Sequence, residues 1–235
     1  MKKFLLIIAL PVFLFSQIYM TKIEPYEEYI IYSQTSGQIV NLDKNDETKI
    51  VNKVLIKLDD TLEQKQLKIY KNQLELNKQK LKIYETSYKK FVKIRGKSQS
   101  DKDDKYSELL DIRLSIDSLK LSIEELKDII SKKTIKINNL YVKNFLVDKG
   151  DYVSTGAQLA TVQDISKSKL IVYVSASDYK DIKNKKIYLD DKISSAYIEK
   201  IDKTLDETYV SAHKVTIVLD NKKFGKVTKV EFKYE

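Results

Sequence analysis

Residues 61–95 read TLEQKQLKIYKNQLELNKQKLKIYETSYKKFVKIR, and the order within them sets the architecture. Leu67, Tyr70, Leu74, Asn77, Leu81, Tyr84, Tyr88 and Phe91 recur at alternating spacings of three and four. On a helix of 3.6 residues per turn this draws one continuous stripe, a heptad seam that predicts a long helix packed against a partner helix. Thr61 with Gln64 three residues on predicts a capping box, in which the two side chains satisfy backbone N–H groups left unpaired at the helix start. Lys89, Lys90, Lys93 and Arg95 precede Gly96 and suit the negative end of the helix dipole.

A second seam follows the polar stretch 96–103, with Leu109, Ile112, Ile116, Leu119, Ile123, Leu126 and Ile130 at the same spacing. Asp101, Asp103 and Asp104 favour a helix N-terminus, Lys132 and Lys133 a C-terminus. Two helices joined by so short a link must be antiparallel neighbours, so residues 61–134 are expected to form a hairpin. At 1.5 Å per residue, helices of about 33 residues make a rod of roughly 50 Å. Leu62, Ile69, Leu76 and Ile83 on the first helix, and Leu114 and Leu121 on the second, lie off the seam. They are expected to pack against neighbouring hairpins, unless the seam is simply broad.

Both flanks of the hairpin look like strands. After it comes FLVDKGDYVSTGAQLATVQD (145–164), short apolar runs broken by Gly150 and Gly156. Before it come GQIVNLDKND (37–46) and VNKVLIKLDD (51–60). With Asn52 set against Gly156, Leu55 matches Leu159, Leu58 matches Val162 and Asp60 matches Asp164, while Asn45-Asp46 echoes Gly150-Asp151. Asn is the residue best able to replace Gly where φ is positive, so Asn45 and Asn52 are expected at such turns. Residues 29–60 and 135–166 then read as two halves of one β unit, with the hairpin inserted between them. Beyond, 167–235 contains alternating runs at 209–219 and 227–234 that predict further strands.

The composition fits long regular elements: 235 residues, 42% hydrophobic and 33% charged, with only 5 Gly and 2 Pro. The net charge of +9 is carried almost wholly by Lys, with Arg at positions 95 and 113 alone and acids interspersed throughout. This argues against nucleic-acid recognition, which leans on Arg for bidentate contacts, and leaves a weak preference for anionic membrane surfaces. No Cys is present, which excludes disulfides, thiolate metal sites, a thiol nucleophile and lipid attachment at a Cys. Lys2 and Lys3, the apolar run 4–15 and Ser16 predict that residues 1–20 are a secretory signal, or an N-terminal anchor where it is retained.

Taken together, the split β halves, the helical insertion and the segment 147–178 resemble the periplasmic adaptor or membrane fusion protein family, the HlyD-like subunits of tripartite efflux and secretion systems. The resemblance covers roughly residues 1–180. It implies an α+β fold: a long antiparallel coiled-coil hairpin inserted into a split lipoyl-like (biotinyl-lipoyl) β domain, followed by a partial small β-barrel at 167–235. It also implies a non-catalytic subunit of the Gram-negative periplasm, associated with the inner membrane. Its implied partners are an RND or ABC transporter, a TolC-type outer-membrane channel and further copies of itself. Many members continue into a membrane-proximal domain, expected here to be missing or much reduced.

The same resemblance makes the hairpin tip the partner-binding surface, with Arg95, Lys97, Ser98, Gln99 and Ser100 as candidate residues. All five are polar and outside both seams, so their replacement is expected to cost little stability. The Arg, Leu and Ser that the family often places near its tip have no counterpart at that spacing. Arg113-Leu114-Ser115 lies too far along the second helix.

Little else suggests chemistry. Lipoyl and biotin carriers modify a Lys on the turn joining the two halves, which the hairpin here replaces; Lys149 sits in a turn of the second half instead. His213 falls in an alternating run and reads as a strand residue. The Asp101, Asp103, Asp104 cluster lacks the spacing and distal Glu of a calcium loop. No enzyme activity, metal or cofactor is expected. An exported coiled-coil structural protein of the envelope is the alternative, and a biotin or lipoyl carrier a more distant one.

Overall fold

The computed structural model describes residues 17–206, 208–209, 211–221 and 223–234. In chain order the strands are β1 (Ile18–Tyr32), β2 (Gly37–Leu42), β3 (Ile50–Leu58), β4 (Thr134–Phe145), β5 (Tyr152–Val153), β6 (Gln158–Ser175), β7 (Lys186–Leu189), β8 (Lys192–Ile193), β9 (Tyr197–Leu205), β10 (Ala212–Leu219) and β11 (Val227–Lys233). The helices are α1 (Thr61–Phe91) and α2 (Gln99–Lys132), both between β3 and β4, and the single turn α3 (Ala176–Tyr179). The chain divides into two units, residues 29–162 and residues 17–28 with 163–234. Residues 1–16, most of the expected signal or anchor, lie outside the described residues. The last residues of that expected segment, Ile18, Tyr19 and Met20, are the first of β1.

In the unit spanning 29–162, the strands run β5-β2-β3-β4, each antiparallel to the next. Lys57 near the end of β3 pairs with Thr134 at the start of β4, so the chain leaves for α1 and returns from α2 at neighbouring positions. Both flanks of the insertion enter one core. Leu55, Leu58, Leu159 and Val162 are all buried there with Ile39, Ile56 and Val142. Gly37 sits where β2 crosses the end of β3; a Cβ there would lie 3.3 Å from that of Leu58. The turn at Gly156 (φ 84°) needs a left-handed residue, and its N–H donates to Ser33 O at 2.8 Å.

The expected Asn substitutes for glycine behave differently. Neither Asn45 nor Asn52 has positive φ; among the described residues of the first half it is Thr48 (φ 62°) that does. Asn45 lies in a one-turn 3-10 helix closed by Asp43, whose carboxylate accepts from the Asn45 N–H, and Thr48 then turns the chain into β3. Asn52 is a strand residue where the β3–β4 register shifts, between Val51 and Lys53. The extra residue of that irregularity lies on the β4 side, where two steps of β3 oppose three of β4 and Asn139 takes a positive φ of 54°.

The other unit is built on β1, β6 and the strands after it. β1 pairs with β11 from Ile18↔Glu231 to Lys22↔Val227, β11 with β7, and β7 with β8. β10 lies between β6 and β9. The core holds Tyr19, Ile23, Leu170, Val172, Val174, Val215, Ile217, Val230 and Phe232. The strand expected at 209–219 begins at Ala212, because the Ala212 N–H turns back to the Tyr209 carbonyl. Tyr19 packs edge-on against Phe232 and donates its hydroxyl to Asp178 at 3.0 Å. Burial, reinforced by the carboxylate beside it, pushes the Tyr19 phenol well above its ordinary range.

Candidate functional site: the helical hairpin and its tip

The root of the hairpin is fixed by three acidic residues, Asp59, Asp60 and Glu63, and one lysine, Lys133. Thr61 is the first residue of α1, so the expected box with Thr61 as cap does not form. The Asp59 carboxylate instead accepts from the Thr61 hydroxyl at 2.5 Å and the Thr61 N–H at 3.0 Å, and these bonds hold Asp59 below the ordinary carboxylate range. The Gln64 amide turns to Asp60. Lys133, expected as a cation suited to the helix C-terminus, is buried: its ammonium donates to the Asp59 carbonyl at 2.8 Å and to Glu63 at 2.5 Å. One side chain thus ties the end of α2 to the start of α1.

Along the rod the heptad positions meet as the spacing requires. Leu109, Ile112, Ile116, Ile123 and Leu126 of α2 are buried, while on α1 only Leu67 is. The remaining α1 seam positions are half-buried, the aliphatic Leu74 and Leu81 as well as the tyrosines and Asn77. Arg113 reaches across to Glu85 at 2.9 Å, and Tyr88 packs on Tyr106 with ring centres 5.6 Å apart. Leu62, Ile69, Leu76, Ile83, Leu114 and Leu121 point away from the seam and are 54–72% exposed.

At the tip, Gly96 (φ 87°) reverses the chain after α1. Ser98 is the N-cap of α2 and forms a reciprocal capping box: its hydroxyl accepts from the Asp101 N–H at 3.1 Å, and the Asp101 carboxylate accepts from the Ser98 N–H at 3.2 Å. Those bonds hold Asp101 below its usual value. Arg95 and Lys97 lie in the connection, Gln99 and Ser100 in the first turn of α2, and all five candidates are exposed. Lys97 stands over the Phe91 ring at 5.2 Å, and Gln99 donates to Asp103 at 2.8 Å. Ser98 departs from the expectation of dispensable tip residues, since it closes the helix start. Beside the tip, Ile83, Tyr84, Tyr88, Phe91 and Ile94 line a groove of about 490 Å³.

Solved structures share this arrangement over nearly the whole chain. A MacA–MexA chimera carrying the Pseudomonas aeruginosa MexA α-hairpin domain superposes with a TM-score of 0.69 at 17% identity, over 94% of this chain and 82% of that one. The membrane fusion protein Spr0693 of Streptococcus pneumoniae R6 gives 0.69 at 11% identity, over 94% and 100%. The chain has the membrane fusion protein fold. The periplasmic adaptor protein EmrA also matches, with a TM-score of 0.50 at 13% identity, over 93% of this chain and 99% of that one. No protein-family model and no curated protein matches the sequence.

Within the membrane fusion protein fold of this chain, the other candidates take structural places. Lys149 is exposed in the turn between β4 and β5. His213 is a buried strand residue of β10, stacked on Tyr179 at 3.9 Å with Nδ1 3.1 Å from the Asp202 carbonyl oxygen. Asp101 and Asp103 are engaged at the α2 N-terminus with Ser98 and Gln99. Among the described residues, no helix is long and apolar enough to cross a membrane. The Lys133 tie and the Ser98 box were not foreseen. Ser98 followed three residues later by an acid carried a signal for the second; Lys133 carried none, because only the strand register places Asp59 beside it.

Proposed function

We propose that this chain is a non-catalytic adaptor subunit that links an inner-membrane transporter, of the RND or ABC type, to a TolC-type outer-membrane channel in efflux or secretion. In this account it works from the periplasm against the inner membrane. Residues 29–60 and 135–166 serve as a split lipoyl-like domain and 167–235 as a β-barrel-like one. The observation that carries the proposal is the helical hairpin leaving and re-entering the β unit at Lys57 and Thr134, in a fold shared with solved membrane fusion proteins.

The physical task of such a subunit is reach and rigidity. A seam of buried aliphatic residues stiffens the hairpin, and the Lys133 tie sets its departure from the sheet. The tip is thereby held out with polar, unburied side chains that can meet a partner without first unfolding anything. No chemical step is assigned to it. A photoreactive residue at position 97, activated in living cells, is expected to capture an outer-membrane channel. Capture of nothing but further copies of the chain would favour the exported structural protein instead.

A further inference from the structure

The run KDIKNKK (180–186) carries four lysines against one aspartate, in the stretch that links α3 to β7. Buried Ile182 anchors its single helical turn, Ile182–Asn184, while Lys183 and Lys186 are exposed. Lys185 is held in place: its ammonium lies 3.3 Å from an Asp178 carboxylate oxygen and 5.3 Å from the centre of the Tyr234 ring, with the side chain 13% exposed. The next acids along the chain, Asp190 and Asp191, are turned to the Lys229 N–H and ammonium.

This run and the connection from β8 to β9 enclose an open pocket of about 530 Å³, with Lys183, Lys185, Lys186, Ser195, Tyr197 and Glu199 on its wall. Such a volume lies within the roughly 300–1,000 Å³ of small-ligand sites. Ser194 fixes the connection, since its N–H donates to the Ile187 carbonyl at 2.9 Å and its hydroxyl accepts from the Ala196 N–H at 3.1 Å. The Tyr197 hydroxyl accepts from the Lys167 ammonium at 3.3 Å, which leaves its own hydrogen to be donated. Glu199 is the one acid on the wall, and it already accepts from the Tyr26 hydroxyl at 2.8 Å. Among the described residues, neither Lys183 nor Ser195 has a hydrogen-bond or ion-pair partner.

The wall is therefore rich in donors and cations and short of acceptors, an imbalance that an anion completes. Lysines spread over a convex surface are solvated singly, whereas a concave wall focuses their field on one point. Ammonium groups beside hydroxyls make charge-assisted bonds to phosphate oxygens, with lysine acting as a point charge where arginine would fork. The pocket is roomier than a bare phosphate needs, so the group it fits is a phosphate carried on a small polar body. We infer that this pocket binds a phosphorylated polyol, the chemistry shared by a glycerophospholipid headgroup and a free sugar or glycerol phosphate. The site lies wholly within the unit of 17–28 and 163–234 and does not depend on the adaptor proposal.

The test uses the full-length chain with two probes: glycerol 3-phosphate by titration calorimetry, with glycerol as the control, and flotation on phosphatidylglycerol vesicles, with phosphatidylcholine vesicles as the control. Saturable binding of glycerol 3-phosphate assigns a free solute, and binding confined to phosphatidylglycerol vesicles assigns a headgroup. In either arm Lys183→Gln with Ser195→Ala is expected to weaken binding about tenfold or more. Lys82→Gln, which removes the same charge from an exposed position on α1, is expected to change nothing. Lys183, Ser195 and Lys82 are all exposed, so every variant should keep the melting temperature and circular dichroism of the parent. Failure to bind either probe, equal binding by the parent and the pocket variant, or an equal loss with Lys82→Gln would overturn the inference.

Discussion

Lys133 Nζ lies 2.5 Å from Glu63 Oε1, across the two roots of the hairpin, with the lysine side chain 7% exposed and the glutamate 22%. Removing one member leaves the other partly buried without its counter-charge. Lys133→Met is expected to cost about 3 kcal/mol, near the low end for a broken buried pair because Glu63 keeps some water. Adding Glu63→Met should restore much of that loss. Denaturant melts of the two single variants and the double variant measure the coupling, and additive losses would show that the pair does not act as a unit.

The seam and the outer columns should separate cleanly. Ile123 is 5% exposed and Leu121, two residues away, 63%. Ile123→Asp is expected to cost several kcal/mol, as a charge placed among Leu67 and Leu126, and to lower the helical signal. Leu121→Asp should change the stability of the isolated chain by no more than about 0.5 kcal/mol. Equal losses at both positions, read by circular dichroism on heating, would contradict the seam described here.

Ser98→Ala is expected to destabilise the start of α2 by about 1 kcal/mol through loss of its cap. Its partner adds a pH dependence with a definite sign. Asp101 is held below its unfolded value by Ser98, so its contribution is present above the unfolded carboxylate pKa of roughly 3.9 and fades as pH falls through the lower folded value. Amide exchange at Asp101 and Lys102 should therefore be unaffected by pH change from 7 to 5, once corrected for intrinsic rates, and lose protection only below about pH 4. Loss of protection near pH 6 would mean that another group controls the cap.

The hairpin was legible because its three-and-four spacing runs unbroken from Leu67 to Phe91 and from Leu109 to Ile130, and burial in the rod follows those positions. The two β halves were legible through Leu55, Leu58, Leu159 and Val162, which share one core. β1 was not. It carries Pro25 between acids, and only Tyr19 and Ile23 of its fifteen residues are buried, so no alternation announces it. The turn before β3 was misplaced because Thr48, a β-branched residue, takes the positive φ expected of an Asn. Tip exposure was legible from polarity, and the capping role of Ser98 was signalled by Asp101 three residues on.

The central claim, that the tip meets an outer-membrane channel while the seams hold it out, is tested most directly by changing tip residues that no cap or seam requires. The chain with Arg95→Ala, Lys97→Ala, Gln99→Ala and Ser100→Ala together is expected to keep its helical circular dichroism and its melting temperature within a few degrees. In cells that depend on the pump, the same variant is expected to lose export and cross-linking to the channel. Unchanged export and cross-linking in a variant shown to be folded would contradict the account, leaving the hairpin as a strut or an assembly element of the envelope.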